Sequence, residues 1–510
     1  MKKKIQSSNK PLSFKCSKAY KNNNWFTFNL TDIPTMTVSH HHLVFICTPA
    51  IGNLVPAVEF AIRLINHDSR FFVTFLAIDI PGRSLVNAYT QSRSSLSPSP
   101  NLQFIHLPSL QPPSPNLYHS HTAYLSLIFN SHKPNVKHTL SDLQKKLPNS
   151  ARIVGMFVDM FTTTFIDVAN DLQIPPYLFF ASPATFLSLM VQVSKTDHDR
   201  FNSLIRNSEA EFVLPSYVHP LTVSMLPLTL SKTEDGLFWY GYHGRRFGET
   251  KGIVINTFEE LEPHALRSLE LDEVPPVYAI GPMVDLGGPA QWQGGEGRVE
   301  RVVKWLDGQE EGSVVLLSFG SMGSLDEGQV REIAFGLERG GFRFVWVVRQ
   351  PPKAKLEQPD DYSDLSDVLP EGFLSRTAGR GLVCGWVPQV TILSHRAIGG
   401  FVSHCGWNSI LESLWFGVPI ATWPLYAEQQ MNAFEMVKEL ELAVEVRLDY
   451  MEGSKVVTGE ELERALRRLM DDNNKVKSRV NRMREKCKMV LMENGSAYVA
   501  FNSLIEKLRA

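Results

Sequence analysis

A strand-like triplet, Phe401-Val402-Ser403, runs into His404-Cys405-Gly406-Trp407-Asn408-Ser409, after which the apolar spacing becomes helical. Such a loop gathers backbone N–H groups at the positive end of a helix dipole, a setting that suits a phosphate. The glycine permits close approach, and the imidazole and hydroxyl add hydrogen-bond donors for a diphosphate. Taken alone, Asn408 and Ser409 read equally well as helix caps. A second chemically capable residue, Asp159, stands at the end of another apolar run, Phe157-Val158.

Placing these side chains requires strands and helices in alternation. From His42 the run Leu43-Val44-Phe45-Ile46-Cys47 predicts a buried parallel strand, and residues 55–65 have helical apolar spacing. Further strands are expected at 71–78, 102–107, 153–158, 177–180, 252–256 and 277–282, with polar or Pro/Ser-rich connections at 92–100 and 109–115. The pattern loosens over 195–247, and a glycine-rich stretch at 287–297 has no periodicity. A second series of strands follows at 313–319, 344–348, 381–384, 400–403 and 419–423, with helices at 328–339, 408–416, 459–470 and 476–492. Repeated strand–crossover–strand units predict α/β architecture with parallel sheets. The expected division is a basic, disordered extension (1–37), an N-terminal acceptor-binding domain (38–283), a linker (284–298), a C-terminal donor-binding domain (299–492) and a C-terminal helix (493–510) packing back on the first domain. Ligands of two such doubly wound sheets lie in the cleft beyond the carboxyl ends of the strands.

The bulk numbers exclude several classes. A chain of 510 residues exceeds one compact core, and 43% hydrophobic with 20% charged residues fits a globular protein. A net charge of −2 argues against nucleic acid or an anionic membrane as partner. No apolar run is long enough to span a bilayer, so a soluble protein is expected; a cytoplasmic location and a monomer are the further expectations. Five scattered cysteines, Cys16, Cys47, Cys384, Cys405 and Cys487, lack metal or redox spacing and are expected as buried free thiols; no metal site is expected. The sequons at Asn29 and Asn494 read as coincidence. The first 37 residues carry seven lysines against one acid, Asp32, and read as a disordered arm or a start upstream of a natural one at Met36.

Residues 386–429, WVPQVTILSHRAIGGFVSHCGWNSILESLWFGVPIATWPLYAEQ, resemble the signature box of plant family 1 secondary-product glycosyltransferases along its whole length. Phe319-Gly320-Ser321-Met322, Gly252-Ile253-Val254-Ile255-Asn256-Thr257-Phe258 and Tyr278-Ala279-Ile280-Gly281-Pro282 agree with that family too. The resemblance implies a GT-B fold, two Rossmann-like domains facing a cleft, and inverting transfer from a UDP-sugar to a small hydrophobic acceptor without a cofactor. By that resemblance Trp386 stacks on uracil, with Val387 and Gln389 beside it. His404, Trp407, Asn408 and Ser409, with Ser321, serve the diphosphate. Glu412 accepts from the ribose hydroxyls, Glu428 and Gln429 read the sugar, and Trp423 lines that pocket. A terminal glutamine goes with glucose more often than galactose in this family, so UDP-glucose is the expected co-substrate.

One departure stands out. The family places a histidine base in the first loop, oriented by an aspartate. Asp159 matches the aspartate, but Ile51-Gly52-Asn53-Leu54-Val55 carries Asn53 where the histidine belongs. An amide has no titratable nitrogen, and losing a positioned base costs about 10²–10⁴ in rate. Three explanations stay open: an acceptor acidic enough to arrive ionised, Asp159 acting directly or through water, or a catalytically impaired UDP-sugar-binding homologue. A GT-B epimerase is a further, weaker alternative. His40, His41 and His42 precede the first strand and are expected at a solvated entrance. His119, His121 and His132 are expected at the surface. A threonine common near the sugar is Ala181 here, followed by Ser182.

Overall fold

The computed structural model describes residues 40–81, 84–96, 100–148, 150–207, 209–233, 235–286, 296–353, 357–449 and 455–510. The basic extension, Cys16 and most of the expected linker lie outside the described residues. The first sheet is built from β1 (His40–Ile46), β2 (Phe71–Ala77), β3 (Leu102–His106), β4 (Ala151–Val158) and β5 (Pro176–Phe180). Two short strands, β6 (Glu211–Phe212) and β7 (Leu221–Thr222), pair with each other antiparallel. Strands β8 (Ile253–Ile255) and β9 (Val277–Ala279) then rejoin the first sheet, whose order is β3-β2-β1-β4-β5-β8-β9 with parallel neighbours. The second sheet comprises β10 (Val314–Ser318), β11 (Arg343–Val347), β12 (Gly381–Cys384), β13 (Ile398–Ser403), β14 (Ile420–Thr422) and β15 (Ala443–Glu445). Its order is β12-β11-β10-β13-β14-β15, again parallel.

Helices cover both faces of each sheet, which is why the central strands are apolar at every position rather than alternating. Within β1, Val44 and Ile46 face a core shared with Phe129, Leu187 and Met190. Leu43 and Phe45 face the opposite core with Phe60 and Phe157, where the Phe45 and Phe157 rings stack at 4.5 Å. The last helix, Ser496–Arg509, inserts Phe501, Leu504, Ile505 and Leu508 into that second core. The Arg63 guanidinium lies 4.3 Å from the Phe501 ring centre. No helix among the described residues is long and apolar enough to cross a membrane.

Several sequence expectations need correction. His41 and His42 are buried, not solvated: His42 Nε2 lies 2.7 Å from Thr74 Oγ1, and burial drives its pKa down to about 4. His132 is also buried, because the long helix His121–Lys146 turns it inward; His119 and His121 are exposed. A helix, Ser84–Leu96, occupies part of the connection expected at 92–100. The loose 195–247 stretch contains three helices, His198–Ile205, Leu228–Lys232 and Gly236–Phe247. Helix Glu296–Asp307 takes in the last three residues of the expected linker. Cys47, Cys384, Cys405 and Cys487 are free and buried.

Candidate active site

Each sheet reverses its strand order once near its centre, between β1 and β4 in the first and between β10 and β13 in the second. Those switch points open crevices at the carboxyl ends of the strands. Register fixes which residues meet there. Ile46 pairs with Val158, so the next residues bring Thr48 against Asp159. Ser318 pairs with Ser403, so Gly320 meets His404.

In the second domain the phosphate loop is tightly set. A β-carbon at Gly320 or Gly406 would collide with the His404 imidazole, so glycine on both sides makes room for the ring. Burial holds the His404 pKa down at about 4, which leaves a neutral imidazole able to donate a hydrogen bond. Cys405 adopts a left-handed φ of 63°, a conformation costing a side-chain-bearing residue roughly 1–2 kcal/mol. Its N–H donates to Ser403 Oγ at 3.1 Å, and its carbonyl accepts from Asn432 Nδ2 at 2.9 Å. Helix Trp407–Phe416 then begins, with its free N–H groups at the crevice.

Around that helix start, Gln389 Nε2 donates to Ser409 Oγ at 2.8 Å and to Glu412 Oε2 at 2.6 Å. Burial pushes the Glu412 carboxyl up to about 7; the Gln389 amide opposes the shift and the charge of Asp285 adds to it. Trp386 is half-buried, and its backbone is pinned between Asp361, which accepts its N–H at 3.0 Å, and Arg298, which donates to its carbonyl at 2.9 Å. Val387, the next residue, is buried, and Ser321 is half-buried just after Gly320. Trp423 is fully buried with its ring edge-on to Phe319 at 5.6 Å, so it forms the floor of this region. Gln429 Oε1 accepts from the N–H groups of Leu425 at 2.9 Å and Tyr426 at 3.0 Å, which fixes the amide with its NH2 turned from that bend.

Three bonds reach from this loop region to the first domain. The Trp407 indole N–H donates to the Asn256 carbonyl at 2.7 Å, Asn408 Nδ2 donates to the Gly52 carbonyl at 2.9 Å, and Ser182 Oγ donates to Glu428 Oε1 at 3.0 Å.

At the first switch point Asp159 is 1% exposed. Its Oδ1 accepts from Thr48 Oγ1 at 2.9 Å, Phe161 N at 3.0 Å and Thr162 N at 3.1 Å. Its Oδ2 accepts from Thr48 N at 2.5 Å and, at a long 3.4 Å, from Asn53 Nδ2. Burial raises the pKa of this carboxyl and the Thr48 and Phe161 hydrogen bonds pull it back. Three of the five donors are backbone amides, so the geometry suits the ionised form.

Residues 296–485 match the family model described as UDP-glucoronosyl and UDP-glucosyl transferase. UDP-glycosyltransferase 43 of Pueraria montana var. lobata is 50% identical over 476 residues, covering 92% of this chain and all of that protein. A putative UDP-glucose flavonoid 3-O-glucosyltransferase 3 of Fragaria ananassa is 44% identical, over 91% of this chain and 99% of its own. The crystal structure of Medicago truncatula UGT71G1 complexed with UDP-glucose superposes with a TM-score of 0.81 at 39% identity, covering 92% of this chain and 99% of that one. The chain belongs to the UDP-glycosyltransferase family. Its two parallel-sheet domains are the GT-B fold of those neighbours.

Within this transferase the sequence-expected residues lie at or beyond the carboxyl ends of strands in the two sheets. Gln389, Ser409 and Glu412 form a bonded cluster, while Gly320, the residue before Ser321, packs against the His404 imidazole. The Trp407 indole is committed to the other domain, so its side chain ties domains together while its backbone starts the helix. Asn53 does meet Asp159, and no histidine is among the hydrogen-bond partners of that carboxylate. Sequence reasoning noted Ser182 beside Ala181 but not its bond to Glu428, and it missed Thr48 and Asn432. Thr48 had a signal: a hydroxyl residue just past the first strand, opposite the expected aspartate.

Proposed function

We propose that the transferase moves glucose from UDP-glucose, with inversion, to the hydroxyl of a small hydrophobic acceptor acidic enough to need no histidine base. The observation that carries this is the closed hydrogen-bond shell of Asp159. A carboxylate already accepting five hydrogen bonds, and 1% exposed, has no free lone pair turned to the cleft for an incoming proton. Asn53 donates to Asp159 through Nδ2, which turns its Oδ1 the other way, as an acceptor that can orient a hydroxyl without taking its proton. Acceptor oxygen then attacks the anomeric carbon, the bond from that carbon to the diphosphate breaks, and UDP leaves with the electron pair. Negative charge growing on the diphosphate meets the N-terminus of helix Trp407–Phe416, the neutral His404 and the hydroxyls of Ser409 and Ser321. The Gln429 amide NH2 and the Glu428 carboxyl form a donor–acceptor pair suited to sugar hydroxyls, and a relative named for UDP-glucose and flavonoids supports a phenolic acceptor.

A series of substituted phenols tests the reading. A phenol of pKa about 10 is ionised to roughly one part in a thousand at pH 7, and each unit of pKa is worth about 1.36 kcal/mol. Rates should rise steeply as acceptor pKa falls, and Asn53→His should flatten the series, helping the least acidic phenols by up to about 10². A flat series in the unaltered enzyme would reject the proposal. UDP-glucose binding with no UDP release for any acceptor would instead favour a sugar-nucleotide-binding homologue, the reading that the missing histidine also permits.

A further inference from the structure

Behind the turn that carries Glu428 and Gln429 lies a buried pair of carboxyls that the transfer chemistry does not use. Glu262 precedes helix Pro263–Glu270 in the first domain. Glu435 opens a π-helical turn, Glu435–Glu439, continuing helix Gln429–Phe434 in the second. Each is 2% exposed, and Glu262 Oε2 meets no hydrogen-bond donor from the surrounding protein. Two ionised carboxylates so close in a dry setting repel strongly, which favours a proton on one of them. Thr185 serves both partners: its N–H donates to Glu262 Oε1 at 3.1 Å, and its hydroxyl donates to Glu435 Oε2 at 2.9 Å. Three residues earlier, Ser182 donates to Glu428. Both rungs therefore join the same two segments, 182–185 of one domain and 428–435 of the other.

The remaining surroundings offer no compensating charge. The Thr257 hydroxyl and the Ala184 amide lie on the Glu262 side of the pair. The Tyr217 hydroxyl donates to the Met431 carbonyl at 3.2 Å, with Glu435 beside it. Glu439, the other acid facing Glu435, is held by the N–H groups of Val218 at 3.0 Å and His219 at 2.9 Å and by the His219 ring at 2.9 Å. Lys438, on the same turn, is directed to Glu445 at 3.5 Å. No lysine or arginine among the described residues forms an ion pair with either member.

We propose that Glu262 and Glu435 share one proton that latches the two domains together, and that the closed latch positions Glu428 and Gln429 on the donor sugar. The positioning half rests on the sugar-reading role proposed above for those two residues. A shared proton makes a short, charge-assisted bond in a dry interface, whereas its loss leaves two adjacent buried negative charges. Burial and mutual repulsion hold this proton above the ordinary carboxyl range. With a raised pKa the latch is intact below the pair's upper apparent pKa and is lost as pH rises through it. Above that point the binding-competent fraction, and with it donor affinity, falls about tenfold per pH unit.

Calorimetric titration of UDP-glucose between neutral and alkaline pH, paired with X-ray scattering, tests this. The unaltered protein should lose affinity along that slope and expand with the same midpoint. Glu435→Gln supplies Glu262 with a permanent donor and should show no expansion and only the alkaline loss of affinity that ionisation of uracil causes equally in both proteins. Glu435→Ala should bind less tightly at every pH; a packing role alone would make the two variants behave alike, which would overturn the proposal. Equal pH dependence in the unaltered protein and Glu435→Gln would do the same. Should Glu435→Gln fail to fold, Glu262→Gln and the titration of the unaltered protein decide. If Gln429→Ala leaves UDP-glucose affinity untouched while alkaline expansion persists, the sugar-reading assignment fails and the latch stands.

Discussion

The two switch points are built alike and used differently. Beyond β10 and β13, the second domain presents a helix N-terminus, a neutral imidazole and a row of half-buried polar groups with hydrogen-bonding capacity to spare. Beyond β1 and β4, the first domain turns its charge inward: Asp159 is consumed by Thr48, Asn53, Phe161 and Thr162. One half of the cleft is a prepared ligand site, and the other has made its aspartate a structural anchor. On the function proposed above, Asn53 in place of a histidine moves the burden of deprotonation from the enzyme to the acceptor.

The largest effect that would sharpen this contrast is expected from Asp159→Asn. The new amide would set an NH2 against Thr48 N or the Phe161 and Thr162 amides, each buried donor left unpaired costing roughly 1–3 kcal/mol. Chemical denaturation should show a clear loss of stability and turnover should collapse, while calorimetric affinity for UDP-glucose stays near that of the unaltered protein. Intact stability with lost turnover would mean that Asp159 acts chemically after all, and the contrast would break.

Next in size come Trp386→Ala and Glu412→Ala. Loss of base stacking is worth about 1–3 kcal/mol and loss of a charged hydrogen-bond acceptor a similar amount, so donor affinity should fall roughly tenfold or more in each with the melting temperature little changed. Unchanged affinity in both would remove the donor site from where it is drawn here.

That asymmetry also governed what the sequence made legible. Apart from Ser321, the expected donor residues sit within 386–429, a single short segment whose local pattern is continuous in the sequence. Asp159 was readable as the end of an apolar strand. Ser182 and Glu428 meet across 246 residues, Trp407 and Asn256 across 151, and Thr48 and Asp159 across 111; such pairs depend on sheet register and domain packing, which no local pattern encodes. Strand β15 spans three residues, too few to show a period. His132 looked like a surface residue because its neighbours are polar, yet helix His121–Lys146 sets it on the inward face.

A gentler probe of the donor half is pH. Glu412 has its pKa lifted to about 7, so near pH 6 it is mostly protonated and accepts poorly from a ribose diol. UDP-glucose affinity should therefore strengthen about tenfold as pH rises from 6 to 8, and Glu412→Gln should abolish that limb. His404, with its pKa near 4, stays neutral across this window and does not contribute. A pH-independent dissociation constant in the unaltered protein would show that the ribose does not depend on the Glu412 charge.

The smallest effect concerns which sugar is carried. Galactose differs from glucose in the configuration of one hydroxyl, at carbon 4, so discrimination depends on whether the groups reading the sugar can follow it. Here they are held: Gln429 Oε1 is bound by two backbone N–H groups, and Glu428 Oε1 is bound by Ser182. A rigid donor and a rigid acceptor should lose about one hydrogen bond when that hydroxyl turns axial, roughly 1 kcal/mol, or about a fivefold advantage in kcat/KM for UDP-glucose over UDP-galactose. Ser182→Ala releases Glu428 from the first domain, and the freed carboxyl can swing toward the axial hydroxyl. The ratio should narrow in that variant, chiefly through improved use of galactose. Side-by-side kinetics showing a galactose preference in the unaltered enzyme would reject the assignment of the Glu428–Gln429 pair, and a ratio indifferent to Ser182→Ala would show that the bond between domains does not hold the sugar-reading carboxylate in place.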